Sequence, residues 1–235
     1  MISPTMTKII GCMPKSLVRF LSKKILDSYI KKYAKLTIKG KENLENIEKP
    51  IIFISNHLSN SDALIINKVL KDKDVTFIAG VKLKDNSLTK LGLEITKTIP
   101  IKPNTADKEA IYTIVKTLKA GNNILIFPEG TRSRNAKLME PKKGVILIQK
   151  LSKAAIIPLG LSGTEKLLPI NDKDMTLESF QYAEVTVNIG KPVELPKKDK
   201  DESKHEYEDR LMDYLMCQIA KLIPEEYRGI YHKKD

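Results

Sequence analysis

The stretch "PIIFISNHLSNSDALIINKVL", residues 50–70, changes its hydrophobic period part-way through. Residues 50–55 are a short run of Ile and Phe that favours an extended strand, whereas residues 62–70 place apolar side chains at helical spacing. Four more β-rich runs follow: "DVTFIAG" (74–80), "NILIFPEG" (123–130), "AAIIPLGL" (154–161) and "AEVTVNIG" (183–190). Helix-like stretches lie near 62–70, 105–120 and 142–152. Strands that alternate with helices need crossover connections, so the pattern predicts an α/β fold with a mixed, largely parallel sheet flanked by helices.

A chain of 235 residues with 41% hydrophobic side chains can bury a substantial core as one large domain, or as one domain with a small appendage. Its two cysteines, Cys12 and Cys217, lie near opposite ends without ligand-like neighbours, which points away from a disulfide framework or a zinc site. A reducing compartment fits that usage.

The net charge of +12 is unevenly spread, because residues 1–41 hold ten Lys or Arg against one acid, Asp27. Such a segment binds nucleic acid, lies on an anionic membrane, or is a solvated face. From Pro14 to Tyr33 the apolar residues Leu17, Val18, Leu21, Ile25, Tyr29 and Tyr33 recur at helical spacing, with Lys23, Lys24, Asp27 and Lys31 on the other side. This predicts a basic amphipathic helix. Lysines 23, 24, 31 and 32 interrupt every window of the ~20 apolar residues that a membrane span requires. No apolar run of ~7–15 residues follows the first lysines, which argues against a cleaved signal peptide. At the other end, Tyr207, Leu211, Leu215, Ile219 and Leu222 form an apolar stripe behind the solvated linker "PKKDKDESK". The expected organisation is a basic amphipathic membrane-association segment (1–40), a central domain (41–195), and a charged linker with a C-terminal amphipathic helix packed on the domain (196–235).

His57 and Asp62 flank the strand-to-helix turn of the opening stretch, at the carboxyl end of a strand, where open α/β sheets bind ligands. A neutral imidazole there can take a proton from a hydroxyl, and a carboxylate on its other nitrogen fixes the tautomer and stabilises the imidazolium. Ser59 and Asp62 also fit a helix capping box, so the residues alone leave both readings open. The stretch "IFPEGTRSR" (126–134) closes another strand, with Pro128 and Gly130 shaping the exit. Arg132 and Arg134 bring guanidinium groups that suit bidentate phosphate binding, and Lys142 and Lys143 follow.

Taken in order, "NHLSNSD" (56–62), "FPEGTRS" (127–133) and "AAIIPLGLSG" (154–163) resemble the first, third and fourth sequence blocks of the 1-acyl-sn-glycerol-3-phosphate (lysophosphatidic acid) acyltransferases within the glycerolipid acyltransferase superfamily. The resemblance covers about residues 40 to 195. It implies that His57 is the general base, that Asp62 orients it, and that a fatty acyl chain passes directly from acyl-CoA or acyl carrier protein to the free hydroxyl of lysophosphatidic acid, forming phosphatidic acid. Asn56, Ser59, Glu129, Gly130, Thr131 and Arg132 are then expected at the substrate, with Arg132 on its phosphate, and Pro128 and Pro158 as structural motif residues. The sequence departs at the second block, where the family carries an arginine and "GLEITKTIPIKPN" (92–104) offers only Lys102. Lysine is a flexible point charge and does not reproduce the bidentate fork. The resemblance implies no metal and no tightly bound cofactor, and an amphiphilic substrate implies a peripheral protein on the cytoplasmic face of the cell membrane, anchored by the N-terminal helix on an anionic surface.

Glycerol-3-phosphate or another lysophospholipid is the alternative acceptor. Two other classes share some of these features. A basic nucleic-acid-binding protein matches the charge, but the basic cluster lacks interleaved aromatics and no binding motif is present. A non-catalytic membrane adaptor would have no need of an intact His57–Asp62 pair. No G-x-S-x-G elbow surrounds any serine, so a covalent serine enzyme is not suggested.

Overall fold

The computed structural model describes residues 14–80, 95–103, 105–171 and 178–232. Cys12 and part of the "GLEITKTIPIKPN" stretch lie outside the described residues. Among those described, one seven-stranded sheet carries the fold, with strands β1 (Ala34–Lys39), β2 (Ile51–Ser55), β3 (Val75–Gly80), β4 (Lys97–Ile101), β5 (Asn123–Ile126), β6 (Ala155–Ser162) and β7 (Ala183–Ile189). The spatial order is β1-β7-β6-β2-β5-β3-β4. Every neighbouring pair is parallel except β6 with β7. The mixed, largely parallel sheet expected from the alternating pattern is therefore present.

Its centre explains its sequence. Strands covered on both faces read as continuous apolar runs, and in β2 the residues Ile51, Ile52, Phe53 and Ile54 are all 0% exposed. Burying each such side chain contributes roughly 1.5–3 kcal/mol. The helices α1 (Lys15–Tyr33), α2 (Asp62–Val69), α3 (Lys108–Lys119), α4 (Gly144–Ser152), α5 (Thr164–Leu167) and α6 (Lys204–Ala220) complete the layers. Helix α3 starts at Asp107, whose carboxylate accepts the N–H of Ala110, and α6 starts with a complete capping box of Ser203 and Glu206. Leu211, Leu215 and Ile219 of α6 are buried.

Parallel pairing positions the site. Ile52–Ile54 of β2 run in register with Ile124–Ile126 of β5, so the chain leaves both strands at the same edge of the sheet. The turn that begins at Asn56 and the turn that begins at Phe127 are consequently neighbours.

Two expectations change. Residues 34–39, assigned to the basic segment by their lysines, are the edge strand β1, paired along its whole length with β7. The sheet thus begins inside the segment bounded at residue 40. Lys35 and Lys39 point to solvent on the alternating pattern that a half-covered edge strand requires. In α1 the residues packed on the domain are Ser22, Leu26 and Ile30, spaced by four, while Leu17, Leu21, Ile25 and Tyr29 of the expected apolar face are 37–43% exposed and Phe20 is 54% exposed. The helix therefore has two apolar stripes, one facing the domain and one facing outward.

Candidate active site

The turn after β2 folds around one carboxylate oxygen. Asp62 Oδ2 accepts from the main-chain N–H of Leu58 at 2.6 Å and of Ser59 at 2.9 Å, and lies 2.7 Å from Nδ1 of His57. Asp62 is 0% exposed, so this acceptor sits in a low dielectric with three donors around it. A carboxylate partner puts the imidazole proton on Nδ1, which leaves Nε2 as the basic nitrogen toward the cleft that His57 lines. The ring of Phe127 stacks on the imidazole, with centroids 4.0 Å apart and planes 11° from parallel. Its face limits rotation of the ring. Asp62 also bonds the main chain of Ser59, as a capping residue does, but the Ser59 hydroxyl oxygen accepts the N–H of Ser61 at 3.1 Å, not that of Asp62, and donates to the carbonyl of Leu168 at 2.7 Å. Only half of the capping box forms.

The turn after β5 meets this one through Glu129. Its Oε1 accepts the main-chain N–H of His57 at 2.8 Å, and its Oε2 accepts that of Met139 at 3.0 Å. Burial raises the Glu129 pKa to about 7, against the two N–H bonds that favour its ionised form, and the charge of Asp62 raises it further. The main-chain N–H of Ser133 returns a bond to the carbonyl of His57 at 2.8 Å. The histidine backbone is thus held from both sides.

From His57 an apolar cleft of about 1370 Å³ runs between α3 and α4 over β3, β4 and β5. Phe77, Ile101, Ile111, Phe127, Val145 and Ile148 line it, and the exposed Tyr112, Leu147 and Leu151 stand at its rim. Lys102, Lys108 and Lys142 also border it. The space suits a long alkyl chain with charged groups at its mouth.

The expected substrate residues divide. Gly130, Thr131, Arg132 and Lys102 line the cleft. Arg132 Nη1 donates to Glu178 Oε1 at 3.0 Å, and Glu178 Oε2 accepts from Asn60 at 2.7 Å. Asn56, Ser59 and Glu129 are placed differently from the expectation. The Asn56 amide pairs in both directions with the main chain of Leu161, at 2.8 and 2.9 Å, which ties the end of β2 to β6. Asn56, Ser59 and Glu129 are 1%, 0% and 3% exposed, and their polar groups are occupied by the protein's own backbone or neighbouring residues. They do not line the cleft, and they shape the site through the backbone. Pro128 is buried, and its carbonyl accepts from Lys142 N; buried Pro158 accepts from Gly190 N in the same way.

A protein-family model described as Acyltransferase matches residues 35–162. The chain belongs to this acyltransferase family. The matched span begins within β1 and ends with β6, so it contains both turns of the site. The chain is 27% identical over 182 residues to a chloroplastic 1-acyl-sn-glycerol-3-phosphate acyltransferase of Arabidopsis thaliana, covering 77% of this chain and 49% of that protein. It is 23% identical over 167 residues to the 1-acyl-sn-glycerol-3-phosphate acyltransferase of Bacillus subtilis, covering 68% of this chain and 78% of that protein. The chain spans about half the length of the plant and algal relatives it matches. The crystal structure of the 1-acyl-sn-glycerophosphate acyltransferase PlsC from Thermotoga maritima superposes with a TM-score of 0.58 at 20% identity, over 92% of this chain and 87% of that one. This likeness shows that the fold is shared.

Three contributors to the site were not among the residues expected from the sequence. Phe127 stands beside the "PEG" turn and could have been found from its place at the end of β5. Glu178 and Asn60 had no such signal: Glu178 lies 46 residues from Arg132 and 118 from Asn60 along the chain, and only the tertiary fold joins them.

Proposed function

We propose that the protein transfers a fatty acyl chain from a thioester, acyl-CoA or acyl carrier protein, to the free hydroxyl of 1-acyl-sn-glycerol-3-phosphate, giving phosphatidic acid. One observation carries the reading: the His57 imidazole, tied through Nδ1 to buried Asp62 at 2.7 Å, stands at the head of an apolar cleft. Nε2 takes the hydroxyl proton as the oxygen attacks the thioester carbonyl. Collapse of the tetrahedral adduct breaks the C–S bond, and the imidazolium returns its proton to the departing thiolate. General-base assistance of this kind accelerates a reaction by about 10²–10⁴-fold. Asp62 stabilises the imidazolium, Arg132 and Lys102 hold the acceptor phosphate, and the alkyl chain occupies the cleft between α3 and α4. The acceptor named for the relatives supports the choice of lysophosphatidic acid.

The same reading places the protein peripherally on the cytoplasmic face of an anionic membrane. The outward stripe Leu17, Phe20, Leu21 and Ile25 of α1, flanked by Lys23, Lys24, Lys31 and Lys32, supports it. No helix among the described residues is long and apolar enough to cross a membrane.

Free-thiol release from acyl-CoA, measured with lysophosphatidic acid, glycerol-3-phosphate and neutral-headed lysophospholipids as acceptors, tests the function. Lysophosphatidic acid is expected to be the best acceptor. Faster release with glycerol-3-phosphate assigns that acceptor instead, and equal rates with neutral-headed acceptors refute a phosphate-gripping role for Arg132 and Lys102.

A further inference from the structure

Beyond α6 the chain forms two 3-10 turns, Glu225–Tyr227 and Gly229–Tyr231, outside the span that the family model matches. Tyr227 and Tyr231 are 7% and 2% exposed, so this tail is built into the molecule. The Tyr227 hydroxyl donates to Glu165 Oε1 at 2.6 Å on α5, and the Tyr227 carbonyl accepts the N–H of Leu138 at 2.8 Å. Gly229 closes on the same residue: at φ +54, a Cβ there would come within 2.4 Å of the Leu138 carbonyl oxygen. The next residue, Met139, donates its N–H to Glu129, whose other oxygen holds the N–H of His57.

We propose that this C-terminal turn positions the catalytic histidine, with Tyr227 and Gly229 fixing Leu138 so that Met139 and Glu129 hold the His57 main chain. Each link is a hydrogen bond of 3.0 Å or less or a contact that admits no side chain, so the path runs unbroken from tail to turn. Between Ser133 and Met139 the chain has no regular structure; main-chain and side-chain bonds at Ser133, Leu138 and Met139 tie it down, together with burial of the Leu138 side chain in the core. Displacing a reacting group by ~1 Å can cost about 10²-fold in rate, so such a tie matters to turnover. The kinetic consequence rests on the acyl-transfer reading; the mechanical one does not.

Gly229→Ala tests the proposal, with Gly121→Ala as its control. Gly121 also has a positive φ, +79, but nothing lies within 4 Å of a Cβ there, so the control carries the backbone strain without the contact. Two quantities are read: amide hydrogen exchange at His57 and Met139 by NMR, and the kinetics of acyl transfer. In Gly229→Ala both amides should exchange at least about tenfold faster, and kcat should fall at least about tenfold with both KM values within about twofold. Gly121→Ala should alter neither, whatever its melting temperature. Wild-type exchange at both amides in Gly229→Ala, or the same acceleration in the control, overturns the proposal. A wild-type protein that transfers no acyl group refutes the reaction, and the exchange rates still decide the positioning role. Should Gly229→Ala fail to fold, Tyr227→Phe removes the Glu165 bond that fixes the tail and leaves the loop unchanged. Faster exchange at His57 and Met139 then supports the proposal, and unchanged exchange defeats it.

Discussion

Glu129 Oε1 lies 2.8 Å from the main-chain nitrogen of His57, so the buried acid of one turn grips the backbone of the residue whose side chain faces the cleft from the other. Two donors for two oxygens is an arrangement that a carboxyl group satisfies and a carboxamide does not, because the NH2 of the amide opposes one N–H with another. Glu129→Gln should therefore lower acyl transfer and destabilise the fold.

The size of that destabilisation should depend on pH. Burial raises the Glu129 pKa to about 7 from the ordinary carboxyl value of 4.5, so the native state holds this proton more tightly than the unfolded chain. The associated stability is fully present below about pH 4.5 and is lost as the pH rises through about 7, by up to roughly 3 kcal/mol. Gln at this position does not titrate. The difference in unfolding free energy between wild type and Glu129→Gln, from denaturant melts, should be larger at pH 5 than at pH 8; a constant difference refutes the raised pKa.

Asp62→Asn separates orientation of His57 from capping of α2. Asparagine can still accept from the Leu58 and Ser59 N–H groups, but it removes the charge that stabilises the imidazolium and can favour the wrong tautomer. His57→Ala and Asp62→Asn should each lower acyl transfer by about 10²-fold or more, and the double variant should be scarcely slower than His57→Ala. Near-normal turnover of Asp62→Asn in a steady-state assay would leave capping as its role.

Arg132 bridges buried Glu178 and the cleft, which makes its shape matter as much as its charge. Arg132→Lys should raise KM for lysophosphatidic acid by about tenfold, the scale of ~1.4 kcal/mol of lost binding, with a smaller change in kcat. KM for a neutral-headed acceptor should not move. An equal rise for both acceptors would assign Arg132 to folding through Glu178.

On α1, Phe20→Glu with Leu21→Glu alters the outward stripe and leaves Ser22, Leu26 and Ile30 on the domain. Co-sedimentation with anionic vesicles should drop at least about tenfold while the melting temperature stays near wild type, because the loss is of interfacial burial and not of core. Wild-type binding should weaken with salt without vanishing. Undiminished sedimentation of the double variant would place the anchor elsewhere.

The central strands and the two turns beside them could be read because full burial leaves an apolar run too plain to mistake, as in "IIFIS". Edge strands hide their character. In β1 and β4, Lys35, Lys39 and Lys97 occupy the solvent-facing positions, and a count of charges outweighs a period of two over so few residues. Side-chain direction within a turn is harder still. Asn56 and Ser59 flank His57 and Asp62 in sequence, yet the turn aims them at Leu161 and Leu168, partners more than a hundred residues away.

The pairing of β1 with β7 also orders events during synthesis. Lys35 meets Glu184 across 149 residues of intervening chain, so at about 5–20 residues per second the first strand waits roughly 7–30 s for its neighbour to be made. Until then α1, joined directly to β1, has only the strands and helices made before β7 to pack on, and its outward stripe stays uncovered. On the membrane-bound reading proposed above, a bilayer surface is an apolar partner that the nascent helix can reach before the sheet closes.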